Sequence, residues 1–199
     1  MVGMRRLAVI TVVVLLAMPG TVVANNAPRL PTSAAEWADF SAAQQAAAMD
    51  YLRQQLEEAI ASGRSPERAV SGSNDAGIAS IDTLAAISVT YSCQIQWIDL
   101  GYGMWVRGGG WTDASATIYY IYASRQGLKG KFLRDGSLLE YWWNEVWNGD
   151  HAENWTDYYW RWGWEHFNYT TKGWHGARQT QGGTWLLGPD RYCTVSKFL

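Results

Sequence analysis

Two stretches concentrate the reactive and contact-forming side chains, "GSLLEYWWNEVWNG" (136–149) and "YYWRWGWEHF" (158–167). Indoles can stack on the apolar C–H faces of sugar rings, and carboxylates can bind hydroxyls or cut a glycosidic bond. Cutting needs two carboxyls, roughly 5–5.5 Å apart for retention or 6.5–9.5 Å for inversion. Glu140 and Glu165 are the candidates, one in each stretch. In the second stretch Trp160, Trp162, Trp164 and His166 alternate with Arg161, Gly163, Glu165 and Phe167. On a strand the three indoles share one face, about 6.5–7 Å apart. They form either the core side of an amphipathic strand, with Arg161 and Glu165 in water, or a flat platform for a chain of sugars. The mixed polarity favours a partly buried Trp162, with Trp160 and Trp164 partly exposed at the strand's ends.

Crowding decides that some aromatics are displayed. Residues 91–199 hold 25 aromatics and 16 Ile, Leu, Val or Met. A β domain of this size offers roughly 30–35 inward positions, because side chains alternate between faces. Trp142 and Trp143 are adjacent, so at least one leaves the core. Trp147, Trp155 and Trp174 sit beside turn-like residues, where aromatics serve contact. The expected contact set is Trp142, Trp147, Trp155, Trp160, Trp164 and Trp174, with Asn144, Asn148, Asn154 and Asp157 among the interleaved polar partners.

The "LLEYWW" stretch resembles the nucleophile strand of the secreted family of small β-jelly-roll xylanases, which presents a glutamate among aromatics. That resemblance implies Glu140 as nucleophile. It is confined to this stretch: the family's second glutamate lies far along the chain in a Glu-Gly-Tyr run. Here Glu165 follows Glu140 by only 25 residues and precedes His166.

Other chemistries lack their spacing. There is no Gly-x-Ser-x-Gly elbow, no His-x-His or His-Glu-x-x-His, and no glycine loop opening a helix. No cofactor or metal is expected. Residues 88–199 carry 10 basic and 10 acidic side chains, which argues against nucleic acid as a partner.

These residues need positioning elements. Arg5 and Arg6, an apolar run from Leu7 to Met18 and Val22-Val23-Ala24 form the pattern of a signal peptide over 1–24. The expectation is a secreted, extracellular protein without a membrane anchor once that segment is removed. Residues 25–87 read as a helical extension and linker. Ser33/Glu36 and Ser41/Gln44 match capping boxes, and Met49, Leu52, Leu56, Ala59 and Ile60 recur at helical spacing. That stripe must pack on the following domain, face a protein partner, or belong to a propeptide. Residues 63–77, rich in Ser, Gly, Asn and Pro, read as linker, and 78–87 show no clear pattern.

Residues 88–199 read as an aromatic-rich antiparallel β domain. Strands are expected over 89–98, 104–106, 117–123, 131–133, 138–146, 156–169, 183–187 and 192–198. Turns are expected at Gly101, Gly108-Gly109-Gly110, Asp135-Gly136, Asn148-Gly149-Asp150, Gly182-Gly183 and Gly188-Pro189-Asp190. Cys93 and Cys193 are the chain's two cysteines and read as one disulfide. The fold expected is mostly β: an antiparallel sandwich or barrel, jelly-roll-like, closed by that bond. The function expected is an exported, non-catalytic binding protein contacting a glycan or cell-wall polysaccharide. The alternatives are a glycoside hydrolase using Glu140 and Glu165, or a secreted protein-binding or inhibitory module.

Overall fold

The computed structural model describes residues 27–73, 87–116, 123–147, 151–179 and 185–199. The signal-like segment, residues 78–86, the Asn148 turn and Gly182-Gly183 lie outside them, as do most of the expected 117–123 strand and the start of the 183–187 one.

Two helices open the described chain, α1 (Ala34–Asp39) and α2 (Ala42–Ala61). Both begin where the capping hydroxyls stand. The Ser33 hydroxyl accepts from the Glu36 N–H at 3.2 Å. Glu36 reaches past the cap to the Thr32 N–H and hydroxyl, and it pairs with Arg29. At α2 the box closes both ways: Gln44 accepts from the Ser41 N–H at 2.8 Å, and Ser41 accepts from the Gln44 N–H. Gly63, at φ 78°, lies just past the C-terminal end in the left-handed region. The buried stripe of α2 is Ala48, Leu52 and Leu56, while Ile60 is exposed.

Among the described residues, nine strands, all paired antiparallel, build two sheets. The first contains β1 (Glu67–Ser73), β2 (Ile87–Asp99) and β3 (Gly103–Ala116), with β6 (His151–Trp155) and β7 (Tyr159–Trp162) both beside β3. The second has the order β5 (Ser137–Trp147), β4 (Ala123–Arg134), β8 (Asn168–Gln179) and β9 (Trp185–Phe198). The sheets pack as a sandwich, and the Cys93–Cys193 disulfide joins β2 of one to β9 of the other, with Cα atoms 5.7 Å apart. Tyr91, Ile95, Trp97 and Val106 meet Phe132, Tyr169 and Val195 in the interior.

Four local expectations are corrected. Residues 67–73 are not linker; they pair along β2 from Glu67 opposite Trp97 to Ser73 opposite Tyr91. The β domain therefore begins before residue 88. Gly108–Gly110 is not a turn but the middle of β3. A Cβ on Gly108 would lie 2.4 Å from the Phe132 ring, and one on Gly109 would lie 2.5 Å from the Trp155 indole. These glycines make room for rings across the sandwich and across the sheet. The expected 156–169 strand is broken into β7 and β8. Glu165 makes the break: its N–H donates to the Trp162 carbonyl at 3.0 Å, and its carboxylate accepts from the Trp162 N–H at 2.9 Å. Gly188-Pro189-Asp190 falls within β9 rather than at a turn. The Asp135-Gly136 hairpin is as expected, with φ of 48° and 80°, both positive as a type I′ turn requires.

His175 sits at the centre of the sandwich. Thr112 Oγ1 lies 2.8 Å from its Nδ1, Cys193 Sγ lies 3.1 Å from its Nε2, and Tyr91 stacks on the ring at 4.9 Å. Burial pushes its pKa down from 6.5 to about 4. A depressed histidine stabilises the fold fully above its unfolded pKa, and that contribution is lost as pH falls from about 6.5 to about 4. The loss amounts to about 3 kcal/mol. His151 has the opposite sign, since its hydrogen bond to Asp113 raises its pKa. Urea melts of wild type and His175→Gln at neutral and mid-acid pH check this. The variant is expected to be less stable at neutral pH but flatter across that window. An unchanged acid slope would remove His175 as its source.

Candidate functional site

The alternating indole row is a seat for the helices. Trp162 is buried among Leu52, Leu56, Ile98 and Trp105, with Trp160, Trp164 and Trp37 packed against the same cluster. Trp164 stacks on Trp162 at 4.9 Å, Trp160 meets it edge-on at 5.3 Å, and Trp37 of α1 approaches within 5.0 Å. The Trp105 indole N–H donates to the Leu52 carbonyl of α2 at 3.1 Å. Trp160 and Trp164 are half-buried, as their places at the ends of the row imply. Their rings are nonetheless engaged with the helices and with Trp162 rather than displayed. The helix stripe, one candidate for a partner surface, is covered by this domain. Arg161 does not face water. It is buried, donating to the Trp162 and Glu165 carbonyls and to Met104 Sδ.

The two carboxylates have separate local tasks. Glu140 accepts from the Asp157 N–H and from the Tyr159 hydroxyl, each at 3.0 Å. Burial first, and that bond second, push the Tyr159 hydroxyl up to about 12. Glu165 closes the β7–β8 turn on Trp162. Neither shares a hydrogen-bond partner with the other among the described residues. The one His/Cys/acid grouping of metal-binding type there is Cys93, His175 and Cys193, whose two sulfurs are bonded to each other.

Display occurs on the outer face of the second sheet. Registered neighbours share a face, so the pairing yields rows across β5, β4, β8 and β9. One row runs Trp143, Lys129, Trp174, Tyr192, and the next runs Tyr141, Lys131, Lys172, Thr194. Trp143 is 68% exposed, Tyr192 69% and Tyr141 60%, whereas Trp174 is half-buried. Lys131 lies over the Tyr141 ring at 5.5 Å. An open groove of about 590 Å³ on this face is lined by Lys129, Lys131, Tyr141, Trp143 and Trp174, together with Gly130 and Trp142.

Trp142, expected as a contact residue, is 2% exposed, so Trp143 is the displayed member of the pair. Its burial has a specific cause. Gly130 is registered against both Trp142 and Gly173. A Cβ on Gly130 would lie 2.2 Å from the Trp142 ring, and one on Gly173 would lie 2.8 Å from it. The two glycines open the slot that the indole fills. Trp147 ends β5, with its backbone registered to Arg125, whose backbone is registered in turn to Arg178; the Trp147 side chain lies outside the described residues. Trp155 belongs to the other sheet, where Arg107 is sandwiched between Trp155 and Tyr158 at 4.6 Å from each ring.

Tyr141, Trp143, Tyr192 and the three lysines were absent from the expected set. For Lys129, Lys131, Tyr141 and Trp143 the signal was the period-two pairing of Lys129-x-Lys131 with Tyr141-x-Trp143 across a recognisable hairpin, whereas Lys172 and Tyr192 lie on β8 and β9 outside it. Comparison with protein-family models, curated proteins and solved structures returns no match.

Proposed function

We propose that the chain is an exported, non-catalytic glycan-binding protein, and that the outer face of the second sheet is its contact surface. The observation that carries this reading is the open row Trp143–Lys129–Trp174–Tyr192, with Tyr141 beside it. Large exposed aromatics registered across a sheet face have no packing task to explain them, and contiguous exposed apolar surface marks contact sites. Strands lie about 4.7–4.9 Å apart, so Trp143 and Trp174 stand about 10 Å apart across β4, a separation suited to alternate rings of an extended sugar chain. Export is supported by the signal-like leader and by a disulfide of the kind that persists in oxidising compartments. The hydrogen bonds of Glu140 and Glu165 to backbone groups favour a binder over a hydrolase.

The test is retention of the purified protein on a panel of immobilised polysaccharides, with reducing ends assayed in parallel. Retention without release of reducing ends is expected, and Glu140→Gln is expected to be retained as well as wild type. Release that disappears in Glu140→Gln would make the protein a glycosidase. Capture of a protein partner with no polysaccharide retained would make it a protein-binding module.

A further inference from the structure

We infer that the ligand of this face is an acidic polysaccharide, with ring carboxylates met by Lys129, Lys131 and Lys172. The inference rests on the glycan-binding reading above and narrows it to a charge class.

Three cations interleave with four aromatics in two adjacent rows. Lys129 stands between Trp143 and Trp174, so rings stacked on both indoles would hold the intervening substituents over its ammonium group. Lys131 and Lys172 are direct cross-strand partners. Like charges directly opposite each other destabilise a sheet, so the pairing of Lys131 with Lys172 costs the fold stability. An anion resting between the two ammonium groups removes the repulsion and uses both. The positive cluster belongs to a chain of net charge −2, so it is local to this face rather than a consequence of a basic composition. A nucleic acid would also stack and pair with cations. The disulfide between the sheets suits an oxidising compartment, where acidic polysaccharides are the abundant ring-bearing polyanions. The neutral balance of residues 88–199 also lacks the wide positive footprint of phosphate-backbone binders.

The experiment measures binding of three probes: polygalacturonate, its methyl-esterified form, and an oligothymidylate. The first two carry the same rings with and without charge. Polygalacturonate is expected to bind about tenfold or more tighter than the ester, with an affinity that falls as salt rises. Lys172→Thr is expected to lose most of that advantage while melting at a higher temperature than wild type, because it relieves the repulsion at Lys131. A residue that merely supported the fold would not move affinity and melting temperature in opposite directions. Equal binding of both galacturonans, unchanged in Lys172→Thr, would overturn the charge class and leave glycan binding standing. Preference for the oligothymidylate would overturn the polysaccharide assignment. Failure to bind any polysaccharide would take the underlying reading down with it.

Discussion

Replacing both Cys93 and Cys193 with serine is expected to lower the unfolding free energy by about 4–5 kcal/mol. The bond closes a loop of 100 residues, and constraining so long a loop in the unfolded chain is worth about 4.7 kcal/mol in the chain-entropy model. Geometry adds to the effect. The two sulfurs lie beside His175 in the interior, and the bond ties β2 to β9 across the sandwich. Two serine hydroxyls there must find partners in a space that offers few. Loosening β9 frees Tyr192 and the edge that supports Trp174, so ligand binding is expected to weaken along with stability. Denaturant melts of the oxidised wild type and the double variant check it. A loss under about 1 kcal/mol would mean that packing alone holds the sheets together.

Trp162→Ala carries the second large effect. Removing an indole buried against Trp105, Trp164 and the α2 leucines leaves a large cavity, at a cost of about 3–5 kcal/mol. The same truncation at Trp160 or Trp164 is expected to cost less, because each ring is only half-buried. Trp162 is also the ring that α1 and α2 rest on. Isolated helices of this length are marginal in water, so the helical circular dichroism of the Trp162 variant is expected to fall before the sheet melts. Equal and severe destabilisation in all three variants would place the whole row in the core. No destabilisation in any of them would make it a free platform.

What the sequence made legible was chemistry acting over short distances. Ser33 and Ser41 announce the helix starts because caps are satisfied within three residues. Asp135-Gly136 announces its hairpin because few other pairs tolerate two positive φ angles. Cys93 and Cys193 were legible as the chain's only pair, and the antiparallel β architecture followed from alternation and turn spacing. What stayed hidden depends on distant neighbours. Gly108–Gly110 look like a turn until Phe132 and Trp155 are seen occupying the space above them. Choosing between Trp142 and Trp143 required knowing that Gly130 and Gly173 are in register. Arg161 looks solvent-facing by alternation, yet the carbonyls of Trp162 and Glu165 hold it inside. Trp142 was expected at the contact surface in place of Trp143 for the same reason. The sequence count established that some aromatics are displayed, whereas which ones depended on the registers of three strand pairs.

Paired measurements of folding and binding on Trp143→Ala and Trp174→Ala test the central claim most directly. Both side chains project from the outer face, Trp143 mostly exposed and Trp174 half-buried. Both variants are therefore expected to melt close to wild type. Each is expected to lose about 1–3 kcal/mol of polysaccharide binding, the scale of a ring stacked on an aromatic side chain. Full retention of polysaccharide binding by the two folded variants would contradict the assignment of this face as the contact surface.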